Sequence, residues 1–334
     1  MSFKWGDQAI GKGEKIFTQI PICTMASGYQ LKLPIHIING QRPGLSVLIV
    51  CTSHGDEFWS AEFCRRVYNF LIKCDHDFSG TIILVPVLNP LAFETGSRNT
   101  PIDNHNLNRV FPGSEFGSDW FTNNLAKVIS EQILPNTDIV LDYHGGGSDT
   151  IIHYTYTLDP NKSEYNKRVH EIALASGAEI LWEHVESRGT LSKYAEELGK
   201  LVVVPEVGGG GLILDVQYFD KAISDMVNML SIPEIFEYKH LSNKPRIVVR
   251  KGKTVRPAHG GTFLPMVESN IIGKTVSKET VLGHVVSPYT FENLDTLYAP
   301  FNKTEIMQVR NRLSKVHPGD YSFIVGDGES GYYI

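Results

Sequence analysis

Residues 46–57, SVLIVCTSHGDE, decide how the chain is read. The run over residues 46–51 is short, apolar and rich in β-branched residues, the pattern of a strand buried on both faces. It gives way at once to a polar turn, and from Glu57 to Lys73 the spacing becomes helical. There Phe58, Ala61, Phe63, Val67, Phe70 and Leu71 make an apolar face, with Arg65, Arg66 and Lys73 opposite. The same alternation continues outward. Apolar runs stand at 81–87 (TIILVPV), 138–142 (DIVLD) and 201–204 (LVVV), and helical spacing at 119–134, 163–176 and 216–230. Strands alternating with amphipathic helices predict an α/β fold, a mainly parallel or mixed sheet with helices on both faces.

After about residue 240 the helical spacing stops. Short β-like segments (RIVVR, TFLPMV, VLGHVV, YSFIV) follow one another between Gly and Pro turns, the signature of a small C-terminal all-β domain. The expected division is therefore a catalytic domain over 1–240 and a β-rich domain over 241–334, in keeping with a length that exceeds one ordinary domain.

Bulk properties narrow the partners. Of the 334 residues, 42% are hydrophobic and 20% charged, an ordinary globular balance, and the net charge of −6 comes without a clustered basic face. Nucleic acid is therefore not expected as a partner, and a small molecule is. No apolar run reaches membrane-spanning or signal-peptide length, so the expectation is a cytoplasmic protein without a membrane partner. A homo-oligomer stays open. Cys23, Cys51, Cys64 and Cys74 have no CxxC spacing and read as reduced, buried thiols.

Each inferred strand of the first domain ends in polar residues: His54 and Glu57 after the first, Asn89 after the second, His144 after the third, Glu206 after the fourth. In open parallel sheets these ends face one crevice, where ligands bind. His54 and Glu57, three residues apart on a turn, can grip one ion, and His144 completes the two-nitrogen, one-carboxylate set of a catalytic zinc with an open fourth position. Such ligands favour one Zn2+ per chain, although cobalt or manganese could substitute. Glu206, in PEVGGGG, suits the general base, and the glycines at 208–211 would let backbone approach a ligand. The segment 89–113 reads as a long, functional loop. From it Arg98 is assigned to the oxyanion, Asn108 and Arg109 to a substrate carboxylate, and Asn89 to the substrate side of the crevice.

Each motif alone has a blander reading. HxxE recurs by chance, His144 alone would more often be a hydrogen-bonded turn residue, and the arginines alone would be surface ion pairs. His153 reads rather as a core or edge residue than a pocket one, and Tyr154 with Tyr156 as packing. What shifts the balance is that all the features follow buried strands of one sheet.

Taken together, HGDE, NPLAFETGSR, NLNRVFPG, DYHGGG and PEVGGGG resemble the succinylglutamate desuccinylase/aspartoacylase family, a branch of the zinc-carboxypeptidase-like fold, over roughly residues 45–215. The resemblance implies zinc on His54, Glu57 and His144, Glu206 as general base, and substrate contacts from Arg98, Asn108 and Arg109. The implied reaction is deacylation of an N-acyl amino acid or related small amide. PEVGGGG looks most like the bacterial deacylase branch, which includes an N-acetyl-diaminobutyrate deacetylase. Two departures stand out. Asn106 replaces the family's usual Asp, removing a charge that could orient Arg98 or Arg109. No arginine lies between 190 and 205, which disfavours aspartoacylase specificity. The alternatives are a metallocarboxypeptidase acting on short peptides and a non-catalytic scaffold or sensor that keeps the metal site.

Overall fold

The computed structural model describes residues 2–209, 216–237 and 245–334. Gly210, Gly211 and the expected boundary at 240/241 lie outside the described residues. The expected strand over 46–51 belongs to Arg42–Val50, the centre of a six-stranded sheet. It pairs in parallel with Ser79–Val85 on one side and Ile139–Asp142 on the other, and Leu201–Val203 extends the parallel set. Two strands that the apolar runs did not reveal, Lys15–Thr24 and Gln30–Asn39, complete the sheet antiparallel, so it is mixed.

Successive side chains of a strand point to opposite faces, and here both faces are covered. Val47, Ile49 and Cys51 enter a core with Phe63, Val67, Ile172 and Met226, from the helices Phe58–Lys73, Glu164–Leu174 and Val216–Ser231. Leu48 and Val50 point the other way, to Leu125, Ile129, Leu191 and Ala195 of the helices Phe121–Gln132 and Leu191–Glu197. That double burial is why the strand is apolar at every position. Of the cysteines, Cys51 and Cys64 are buried, whereas Cys23 and Cys74 are only partly so, a correction to the expectation for all four.

From residue 245 onward the chain carries strands and no α-helix. Four of its strands form a sheet of their own, Asn293–Tyr298, Val281–Val286, Gly261–Pro265 and Ser314–Val316 in that order. Others join the earlier part of the chain. Lys303–Arg310 pairs antiparallel with Thr150–Thr157, and Ile247–Val249 pairs in parallel with Ile180–Glu183. One ten-stranded sheet thus draws on both halves of the sequence.

Candidate active site

His54 and Glu57 sit where the strand Arg42–Val50 turns into the helix Phe58–Lys73. The turn packs so tightly on the short helix Pro90–Thr95 that a Cβ on Gly55 would fall 1.9 Å from the backbone carbon of Ala92. His144 opens a three-residue strand just beyond Asp142, and this strand pairs in parallel with Pro205–Gly209 in a register that sets Glu206 beside His144. Residues as far apart in the sequence as His54 and Glu206 are brought to one cavity by strand ends.

The geometry is compact. Ligand atoms of His54, Glu57 and His144 all lie within 4.8 Å of one another, and all three residues are buried. Glu57 lies between the imidazoles, its Oε1 2.7 Å from His54 Nδ1 and its Oε2 3.1 Å from His144 Nδ1. The backbone N–H of Gly145 also donates to Oε2. Arg98 Nη1 approaches Oε1 at 3.5 Å. On the far side of His144, Nε2 faces Asp142 Oδ1 at 3.4 Å and the Asn108 amide at 3.2 Å.

Burial dominates the electrostatics of the site. It pushes the Glu206 carboxyl from 4.5 up to about 8, reinforced by the Glu57 and Glu186 carboxylates and opposed by His144. Burial and then Glu57 raise Asp56 to about 6. Burial would raise Glu57 too, but the two imidazoles outweigh it and hold its carboxyl well below the usual range. Burial lowers His54 to about 4, with Arg98 adding to the fall, whereas in His144 the Asp142 and Glu57 carboxylates overcome burial and raise it. Two nitrogens and a carboxylate oxygen, clustered and withdrawn from solvent, are the donor set a divalent cation of the zinc class takes. An anionic carboxylate wedged between buried imidazoles fits such a cation well.

These groups open into a cavity of about 440 Å³ that Arg98, Asn108, Arg109 and Glu206 also line. Asn89 is not brought to it. Its side chain is fully buried, accepting from the Ala92 N–H as a helix N-cap and donating to Thr100 Oγ1, so its role is to start Pro90–Thr95. That helix also corrects the reading of 89–113 as loop throughout. Asn106 faces neither arginine. Its Oδ1 lies 3.1 Å from His54 Nε2 and accepts from the Asn108 N–H, so the charge absent at this position would have faced a histidine. Gly208, at φ +91°, makes room for Trp59 rather than for a ligand: a Cβ there would lie 2.4 Å from the indole.

Several cavity residues escaped the sequence reading. Tyr154 and Tyr156, taken as packing, line the cavity together with Thr150 and Ile152, every second residue of one strand. His153, of opposite parity, is absent from the lining and approaches the Tyr218 ring instead. Alternation along IIHYTY was the available signal. Glu186, and Gln308, Arg310 and Tyr321 from the C-terminal third, also line the cavity. For these the sequence offered no local signal.

A mixed, doubly covered sheet with a buried His-Glu-His cluster at its strand ends defines an α/β protein with a candidate metal site. Residues 43–232 match the model of the succinylglutamate desuccinylase/aspartoacylase catalytic domain, and the chain belongs to that family. A curated relative, the N-alpha-acetyl-L-2,4-diaminobutyric acid deacetylase of Halomonas elongata, is 31% identical over 199 residues, which span 58% of this chain and 57% of that protein. Among solved structures, an aspartoacylase family protein from Mesorhizobium loti superposes with a TM-score of 0.77 at 24% identity, covering 94% of this chain and 95% of its own. The product-bound ectoine utilization protein EutE (DoeB) of Ruegeria pomeroyi gives 0.77 at 24% identity, covering 93% and 94%. These likenesses show a shared fold. Among the described residues no helix is long and apolar enough to cross a membrane.

Proposed function

We propose that this protein is a zinc-dependent amidohydrolase that removes the acyl group from an N-acyl amino acid or related small amide. The observation that carries the reading is the convergence of His54, Glu57 and His144 on one buried point, with Glu206 in the register position beside His144. Family membership and the likeness to a deacetylase of an acetylated diamino acid support the substrate class.

Zinc held by His54, Glu57 and His144 would supply Lewis acidity, making water a stronger acid and an amide carbonyl a better electrophile. Glu206 then has the proton work. It takes a proton from the attacking water and delivers it to the leaving nitrogen, a shuttle for which a carboxyl raised toward neutral pH is suited. Arg98, partly exposed at the cavity and 3.5 Å from Glu57, would donate to the oxygen that gains charge. Arg109 offers its guanidinium fork to the substrate carboxylate. Asn108 contributes differently from the sequence expectation. Its Oδ1 is already taken by the Leu191 N–H and its amide nitrogen faces His144, so it braces the site and can lend one remaining N–H to substrate.

The test is Glu206→Gln. The variant should retain close to one zinc per chain while hydrolysis of N-acetyl amino acids falls by roughly 100- to 10,000-fold, the usual share of a general base. A fully active variant would defeat the mechanism, and release of C-terminal residues from short peptides in preference to deacetylation would defeat the substrate class.

A further inference from the structure

The carboxylates that line the cavity have visible work, with one exception. Glu57 stands between the imidazoles and Glu206 has the proton transfer, while Asp149 is paired with Arg310 and Arg312 at 3.0 and 2.9 Å. Asp320 accepts the His317 N–H, and Asp56 lies against the turn after His144, accepting from the Ser148 N–H. Glu186 is the exception. The Ser187 N–H donates to it, but it forms no ion pair with any described residue. It is partly buried, and burial raises its carboxyl. A carboxylate drawn away from water without a counter-ion is costly unless something else supplies the positive charge.

The surroundings of Glu186 suit a cation. A recess of about 30 Å³ shares Tyr156, Glu186, Ser192 and Val204 with the main cavity, so Glu186 stands where the two meet. That volume is about the share of one water molecule in the liquid, room for a single small polar head. The Tyr154 hydroxyl donates to the Tyr156 hydroxyl at 3.0 Å, and both feel the charges of Glu206 and Glu186. Their rings are fixed by Trp182, 5.8 Å from Tyr154 and 5.4 Å from Tyr156, and by His184, 5.0 Å from Tyr156. Phenol oxygens accept from a cationic donor and ring faces attract one, so a carboxylate beside two ordered tyrosines matches an ammonium group.

We propose that Glu186 is a specificity-determining residue that binds a free ammonium group on the substrate, so that the preferred substrates are N-acyl amides with a second, uncoupled amine. The proposal rests on the deacylase reading and sharpens it. Arg109 meets the negative end of such a molecule and Glu186 the positive one. The ammonium can stand on the amino acid or on the acyl chain, and either presents the same N–H donors.

Three probes separate the possibilities. Nα-acetyldiaminobutyrate carries the amine on the amino-acid side, glycylnorvaline carries it on the acyl side, and Nα-acetylnorvaline is of matching size but has no amine. In the wild type one of the amines should be hydrolysed with kcat/KM about 10- to 100-fold above the neutral probe, the factor that a charge-assisted hydrogen bond supplies, and which one it is names the side. Glu186→Gln keeps the shape and removes the charge, so the ratio of amine to neutral probe should largely disappear. No preference in the wild type, or the same preference in Glu186→Gln, would overturn the proposal. Calorimetric binding of the three probes to both proteins gives a second reading that needs no turnover. A wild type that hydrolyses none of them sinks the deacylase reading, whereas the role of Glu186 is then decided by binding: an amine held more tightly than the neutral probe by the wild type and not by Glu186→Gln supports it, and equal binding overturns it.

Discussion

Following the stability of the metal-free protein against pH tests the electrostatics of Glu206 directly. In the folded protein its carboxyl is raised from 4.5 to about 8, chiefly by burial. In the unfolded chain it returns to the ordinary value. Between those limits the folded state holds a proton that the unfolded state has released, so the contribution to stability is complete below the unfolded pKa and is lost as pH rises through the folded one. Each pKa unit corresponds to about 1.36 kcal/mol, which puts the loss between about pH 5 and pH 8 near 3.5 kcal/mol. Water in the open cavity screens part of it, leaving on the order of 2–3 kcal/mol to be measured. His54, His144 and Glu57 titrate as well, so the informative quantity is the difference between the metal-free wild type and metal-free Glu206→Gln, both unfolded in urea across the pH range. The wild type should fall relative to the variant as pH rises, and added zinc should flatten the difference, because a nearby cation favours the carboxylate. Parallel curves for the two metal-free proteins would refute the reasoning.

Two further outcomes follow from close packing around the site. In Gly208→Ala the new Cβ would meet an indole already stacked between Phe63, at 5.3 Å, and Phe219, at 5.0 Å, on a backbone of positive φ; urea midpoints should record a loss of about 2–4 kcal/mol. In Gly55→Ala the methyl would strike the backbone of Ala92, so the His54–Glu57 turn must move, and the purified variant should contain well under half the zinc of wild type by elemental analysis while its far-UV spectrum stays that of a folded protein.

What the sequence carried, and what it did not, divides along a physical line. Buried parallel strands announce themselves because both faces demand apolar residues: Val47, Ile49 and Cys51 serve one core, Leu48 and Val50 the other, and the uninterrupted run follows. The outer pair escaped for the converse reason. Lys15–Thr24 lies at the sheet edge with alternating burial and holds Pro21, while its partner Gln30–Asn39 holds Pro34, so neither gives a continuous run. A polar residue after a strand does reach the cavity at His54, His144 and Glu206, whereas Asn89 does not, because the strand end that faces the crevice is also the place where the next helix needs a cap. Asn89-Pro90 already spelled the distinction, since Asn at the cap followed by Pro in the first turn is a helix start. No such reading was open for Gln308 or Arg310. They reach the cavity only because Lys303–Arg310 pairs with Thr150–Thr157, and a pairing between distant segments leaves no trace in the spacing of either. The residues gathered at the strand ends were therefore legible, whereas the rest of the cavity wall was not. That wall includes Tyr154, Tyr156, Glu186 and Gln308, so, on the proposed deacylase function, the choice of acyl group and amino acid should be sought in variants of these four rather than in His54, Glu57 and His144.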